Sequence, residues 1–291
     1  MRLAVSMYSY FGAVKDSRLD LPGFIHRAKA DGAEGVELLD FFYKDNGRDE
    51  EARNHDRGLA ALALAETGLP VPIFSVGNNL AQPDPIDREA QVNRIRFGVD
   101  EALHYGAGVV RVFAGDVREG ITFEAARAWI VEGLCEGADY AHERGIKLAL
   151  ENHGKLAGRG EQVRALIEEV RDRTGHAALG ANPDFGNFVL VDDSPADAVR
   201  AEAAFAYMAH FKDFSEAPAD HEGWAFTSLA GKRYLGSCLG EGVVELAGCL
   251  AALREADFDG WLSIEYEGTE DCLTAVPRSI ARAKALLSGT G

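Results

Sequence analysis

Four side chains of metal-binding type close four successive apolar runs: Glu151 in LALENHG, Asp184 in GANPDFGN, His210 in MAHFKDF and Glu265 in LSIEYEG. Singly, each has a bland explanation. A glutamate at the end of a strand more often meets a cation or a helix cap, and a histidine beside Phe211 more often packs. Brought to one place, three carboxylates repel one another and resist desolvation unless a cation joins them. A divalent ion resolves that conflict. Three oxygen donors and one imidazole suit Mn2+ first, then Mg2+ or Co2+, in an octahedral site with open positions. Zn2+ is a less natural choice, because no thiolate and only one imidazole are offered. Open positions admit a carbonyl and the neighbouring hydroxyl of a sugar, and such chelation acidifies the adjacent C–H. Glu151 and Glu265 can then flank the substrate as the catalytic acid and base, moving a proton between faces or between neighbouring carbons.

The elements that must bring these residues together are legible as alternating strands and helices. Strands are expected at Leu3–Ser6, Gly35–Leu39, Val71–Val76, Val109–Phe113, Lys147–Glu151, Ala178–Ala181, Met208–Phe211 and Trp261–Ile264. Helices are expected over Leu21–Asp31, Glu50–Thr67, Arg88–Tyr105, Thr122–Arg144, Glu161–Arg173, Ala196–Ala203, Val244–Ala256 and Leu273–Leu287. Gly32 and Gly68 stop two of them, and Ser194-Pro195 reads as an N-cap and first helical position. Eight strand–helix units in 291 residues predict a single-domain α/β fold, a (β/α)8 TIM barrel spanning 1–291. Runs such as VVRVF and IKLAL are continuously apolar, as parallel strands covered by helices should be. Barrel enzymes place reactive groups where strands end, so the four residues fall on one arc of the mouth. A long loop at about 212–241, after the seventh strand, is expected to act as a lid, with Phe41–Asp49 as a smaller counterpart.

The composition sets limits on partners. The formal net charge is −17, which repels phosphate backbones and disfavours nucleic acid and anionic membranes. No apolar run is long enough to span a bilayer, and the N-terminus lacks the h-region of a signal peptide. The expected location is the cytoplasm, and the expected partner is a small sugar or polyol-ketone; a homo-oligomer is compatible with the sequence. Cys135, Cys238, Cys249 and Cys272 share no spacing with one another or with histidines, and reduced, mostly buried thiols are expected.

Further residues are candidates for substrate binding. His153 lies two places past Glu151 and either touches substrate or bonds loop backbone. Lys212 follows His210 by the same interval and either stabilises an enolate oxygen or pairs with Asp213 or Glu37. Asn78 and Asn79 close the third strand, and Asn187 follows Asp184; each can bond sugar hydroxyls. Trp224 and Phe226 in the long loop either stack on a sugar face or pin the loop. Glu37 and Arg111, on the second and fourth strands, are expected to pair with each other inside the barrel. Gly240-Glu241-Gly242 reads as turn chemistry. No phosphate cradle appears, and Lys232-Arg233 is too small a signal to claim one.

The motifs GAEGVEL, E-N-H-G at Glu151–Gly154, D-F-G-N at Asp184–Asn187, H-F-K-D at His210–Asp213, L-G-E-G-V-V-E at Leu239–Glu245 and S-I-E-Y-E at Ser263–Glu267 occur in this order along nearly the whole chain. In this the sequence resembles the xylose isomerase-like TIM-barrel superfamily, the sugar phosphate isomerase/epimerase group. The resemblance implies one metal held at Glu151, Asp184, His210 and Glu265, and in the ketose epimerases the two glutamates also serve as acid and base. Two positions depart from those epimerases: Asn187 stands where a substrate-contacting histidine is usual, and Lys212-Asp213 where an arginine follows the metal histidine. Lysine at that place resembles the inositol-ketone dehydratase branch. The endonuclease IV type of abasic-site nuclease needs more histidines than SVGNN, RVFAG and Asn187 supply.

Three functions are therefore set against one another. The first is a divalent-metal-dependent sugar isomerase or epimerase working through an enediolate. The second is a keto-sugar or keto-inositol dehydratase using the same site. The third is a non-catalytic sugar-binding barrel, against which the intact ligand quartet argues.

Overall fold

The computed structural model describes residues 1–289; the last two residues of the expected 1–291 unit lie outside the described residues. Eight parallel strands form one sheet in the order β6-β5-β4-β3-β2-β1-β11-β7. They are β1 (Arg2–Ser6), β2 (Gly35–Leu39), β3 (Ile73–Ser75), β4 (Val109–Phe113), β5 (Lys147–Glu151), β6 (Leu179–Asn182), β7 (Met208–Phe211) and β11 (Trp261–Ile264). The ends of this sheet meet and close the barrel. Tyr207 N–H donates to Ala181 O at 3.0 Å, His210 N–H to Pro183 O at 3.2 Å and Phe185 N–H to His210 O at 3.1 Å.

Helices α2 (Leu21–Asp31), α3 (Glu50–Thr67), α4 (Pro85–Tyr105), α5 (Phe123–Glu143), α6 (Gly160–Thr174), α7 (Pro195–Glu202), α8 (Leu246–Glu255) and α9 (Cys272–Ser288) surround the barrel, with a short α1 (Phe11–Lys15) at its mouth. Side-chain caps close several of their starts, and Ser194 stands at the N-cap of α7 without a side-chain cap bond. Asp20, Asp49, Asp84 and Thr122 each accept a backbone N–H of the first turn through the side chain. Helix α4 begins at Pro85 rather than Arg88, because Asp84-Pro85 supplies both the cap and the preset first φ. β3 is shorter than the expected Val71–Val76: Pro72 has no N–H to give to a ladder, although its carbonyl still accepts from Gly108.

Residues two apart on a strand share a face, and this places the site. Ile73, Ala149 and Met208 form a small apolar cluster inside the barrel, contributed by β3, β5 and β7. Two residues further along those strands stand Ser75, Glu151 and His210, on the same inward face and nearer the C-terminal mouth. The barrel floor is therefore hydrophobic and its upper layer polar. Cys238, Cys249 and Cys272 are buried free thiols and Cys135 is half-buried. No helix among the described residues is long and apolar enough to cross a membrane.

The segment after β7 is ordered rather than a plain loop. It holds β8 (Asp213–Glu216), β9 (Phe226–Thr227) and β10 (Arg233–Ser237), an antiparallel sheet in the order β8-β10-β9. Asp213 anchors its exit: its carboxylate accepts from the backbone N–H groups of Phe214, Gly240, Gly242 and Val244 at 2.9–3.1 Å. A Cβ at Gly242 would stand 2.1 Å from Asp213 Oδ1, so only glycine admits this approach. The turn expected at Gly240-Glu241-Gly242 is thus tied to the H-F-K-D motif by one side chain.

Candidate metal centre

Glu151 ends β5, Asp184 follows β6, His210 lies within β7 and Glu265 follows β11. One ligand-type atom from each of the four lies within 4.8 Å of those of the others, and all four side chains are buried. His210 Nδ1 is the common point, at 3.3 Å from Glu151 Oε2, 3.6 Å from Asp184 Oδ2 and 3.7 Å from Glu265 Oε2.

Neighbouring side chains and backbone groups hold the ligands in place. Glu37 Oε2 and Oε1 lie 3.1 and 3.2 Å from His210 Nε2, and the same carboxylate accepts from Ser75 and Ser263. An ionised carboxylate only accepts, so Nε2 carries a hydrogen and Nδ1 faces the cluster, where it can hold a proton or a metal ion. Glu151 receives Asn187 Nδ2 on Oε1 at 3.0 Å and Asn182 Nδ2 on Oε2 at 3.1 Å. Asp184 Oδ1 accepts from Gly186 and Asn187 N–H, while Asn152 clasps the Asp184 backbone through both its amide atoms. His210 Nδ1 is buried at the centre without a hydrogen-bond partner, and Asp184 Oδ2 beside it meets the Lys212 ammonium at 2.9 Å. A buried polar atom is seldom orphaned, and this nitrogen sits among three carboxylates. The donor set and its unsatisfied imidazole nitrogen fit a hard divalent cation.

Lys212 is the cation of the cluster. Its ammonium is 2.5 Å from Glu265 Oε2, 2.6 Å from Glu267 Oε1 and 2.9 Å from Asp184 Oδ2, with Asn187 Oδ1 at 3.3 Å. Burial opposes ionisation of Glu265, yet Lys212 and His210 outweigh it and hold this carboxyl well below the usual range. The same balance lowers Asp184 and, through His210, Glu37. Burial likewise opposes charge on His210, but Glu37, Glu265 and Glu151 hold the imidazole well above its ordinary pKa. A field that favours a proton on His210 Nδ1 also favours a metal cation there.

Several expectations are corrected. Lys212 pairs with neither Asp213 nor Glu37 but with Asp184, Glu265 and Glu267. Glu37 and Arg111 form no ion pair with each other among the described residues; Glu37 orients His210, and Arg111 Nε lies 3.3 Å from Glu151 Oε2. The strand register explains this, since Glu37 faces β7 across the barrel while Arg111 faces its neighbour β5. Asn187 is spent on Glu151 and Lys212 rather than turned to the mouth. Asn78 bonds the backbone of Phe113 with both ends of its amide, and the Asn79 side chain accepts from Ala81 N–H. His153 packs on the Phe113 ring, 3.6 Å from Asp116 Oδ1, and does reach the cavity over the cluster.

That cavity has a volume of about 340 Å3, and its walls include Glu151, Glu265, Arg111, His153 and Trp224. Trp224 is 70% exposed and packs edge-to-face with Phe226, so the β8–β10 sheet brings both aromatics over the opening. Tyr8 and Glu267 are among the wall residues that sequence reasoning did not single out. The two-residue step that singled out Lys212 from His210 would also have led from Glu265 to Glu267.

A closed parallel barrel with a buried acid–imidazole cluster at its C-terminal mouth defines an enzyme-type TIM barrel. The chain belongs to the xylose isomerase-like TIM-barrel family, whose model matches residues 25–287. It is 29% identical over 164 residues to an inosose dehydratase of Lacticaseibacillus casei, a match that takes in 55% of this chain and 53% of that protein. The chain thus spans about half the length of the curated relatives it matches. Among solved structures, a xylose isomerase-like TIM barrel protein from Mycobacterium smegmatis in complex with magnesium superposes with a TM-score of 0.73 at 19% identity, covering 100% of this chain and 98% of that one. The IOLI protein, with a zinc atom, superposes with a TM-score of 0.75 at 15% identity and the same coverage. These two likenesses concern the fold.

Proposed function

We propose that this chain is a metal-dependent dehydratase acting on a sugar-derived ketone. The carrying observation is the buried Lys212 ammonium within the ligand cluster, touching Asp184, Glu265 and Glu267. Glu151, Asp184, His210 and Glu265 would hold the divalent ion, and magnesium and zinc in structural neighbours make either as eligible as Mn2+. A bound ion would supply Lewis-acid polarisation of the ketone.

The chain's own residues perform the remainder. A cluster carboxylate, Glu151 or Glu265, takes the proton from the carbon beside the carbonyl. The electrons of that C–H bond form a C=C bond as the C–O bond at the next carbon breaks. Lys212 protonates the departing hydroxide, so that water leaves and the carbon skeleton is neither oxidised nor reduced. Arg111 orients Glu151, and Glu267 orients Lys212. Trp224 and Phe226 exclude water above them.

An isomerase or epimerase shares the first proton transfer, and the pair Glu151 and Glu265 favours that second reading. Incubating Mn2+-loaded enzyme with keto-inositols, ketoses and keto-glycosides in D2O separates the two. Loss of one water by mass supports dehydration. A recovered isomer carrying solvent deuterium, without water loss, supports isomerisation, and no turnover of any ketone overturns both.

A further inference from the structure

A second cavity of about 420 Å3 adjoins the one over the cluster. Tyr8, Trp224, Phe226 and Glu267 are walls of both. The partition between them is therefore a row of side chains and not a stretch of barrel. Glu267 is its sill: one oxygen holds Lys212 at 2.6 Å, while the residue also lines the outer chamber.

The outer chamber combines aromatic faces with carboxylates. Phe11 stacks on Tyr8 with ring centroids 5.6 Å apart and planes 22° from parallel, and Trp224 and Phe226 also line the chamber. Asp16, Glu267, Glu270 and Asp271 line the rest, against a single cation, Arg18, which is already bonded to both Asp271 oxygens at 3.0 Å. Aromatic faces accept the C–H face of a pyranose, and carboxylates accept its hydroxyls. A phosphate would meet like charge with no free cation to answer it.

We infer that the substrate is a glycoside whose reacting ring occupies the inner cavity and whose second, uncharged sugar ring occupies the outer chamber. This rests on the reading of the cluster as a sugar-ketone site and specifies its substrate class. A plain monosaccharide ketone would leave the outer chamber to water, and a sugar phosphate would be repelled from it.

Binding rather than turnover tests the inference, so that a failed ketone assay and a failed chamber are told apart. Calorimetric titration of Mn2+-loaded protein with glucose, glucose 1-phosphate, maltose and cellobiose gives the affinities. The expected result is that one of the two disaccharides binds at least about tenfold tighter than glucose, and the phosphate more weakly than glucose. Gly12 on α1 lines the outer chamber with nothing within 4 Å of an added Cβ, so Gly12→Trp fills it from a surface helix. That variant should bring the ratio of disaccharide to glucose affinity to about one. Equal affinities in the unaltered protein, no binding of any of these sugars, tighter binding of the phosphate, or a disaccharide preference that survives Gly12→Trp would each overturn the inference.

Discussion

Lys212 Nζ lies 2.5 Å from Glu265 Oε2, the same oxygen that stands 3.7 Å from His210 Nδ1. The ammonium therefore neutralises the carboxylates at the point where the ligand quartet converges. A divalent ion held there would compete with this lysine for Asp184 and Glu265, and Glu267 and Asn187 are the partners to which Lys212 could retreat.

Lys212→Met makes that competition measurable. Without metal the variant leaves buried carboxylates unpaired, at a cost of about 3–5 kcal/mol. With the rival charge gone, divalent-metal affinity should rise, so that added Mn2+ lifts the unfolding temperature of the variant further than that of the unaltered protein. Thermal unfolding with and without Mn2+ reads both effects. An equal metal shift in the two proteins would refute the competition.

Glu37→Gln tests the hydrogen bond that aims His210. The amide keeps the shape and can still bond Ser75 and Ser263, but it no longer anchors Nε2–H as a carboxylate does. Metal affinity is expected to fall about 10–100-fold, the usual cost of losing a carboxylate behind a ligating histidine. Competition against a fluorescent chelator provides the number, and unchanged affinity would show that Glu37 serves packing alone.

Glu202 gives the pH dependence. It ends α7 fully buried, and neither carboxylate oxygen has a hydrogen-bond partner. Burial first, and then the charges of Glu151, Asp184 and Asp193, push its carboxyl well above the usual range. A folded-state pKa above the unfolded one means that the native state holds this proton more tightly. Its favourable effect is complete below the ordinary carboxylate pKa and is lost as pH rises toward the raised folded value. Glu202→Met should therefore stabilise the protein by about 1–3 kcal/mol near neutral pH, and by less near about pH 4. Denaturant titrations at the two pH values check this; a gain independent of pH would contradict the assignment.

The barrel was legible because its strands are short apolar runs with sharp ends. Gly35–Leu39, Val109–Phe113, Lys147–Glu151, Met208–Phe211 and Trp261–Ile264 appear with the boundaries that their patterns predict. The quartet was legible for the same reason, since each member closes or follows such a run. What was hidden depends on contacts between distant parts of the chain. Glu37 and His210 are 173 residues apart and meet only across a closed barrel. Lys212 was recognised as a candidate, yet its partners Glu265 and Glu267 arrive from a different strand. The sheet of β8, β9 and β10 escaped notice because its strands are brief and their pairing skips order, with β10 between the other two. Antiparallel pairs of this length carry little periodicity of their own.

Metal stoichiometry tests the central claim most directly. Purified protein, stripped with a chelator and titrated with Mn2+ under calorimetry, should bind one ion per chain. Asp184→Asn and His210→Ala should each weaken that binding by at least about 100-fold, while both variants keep the native circular-dichroism spectrum. Absence of a stoichiometric site for Mn2+, Mg2+, Co2+ or Zn2+ in the unaltered protein, or full retention of binding in both variants, would contradict the account.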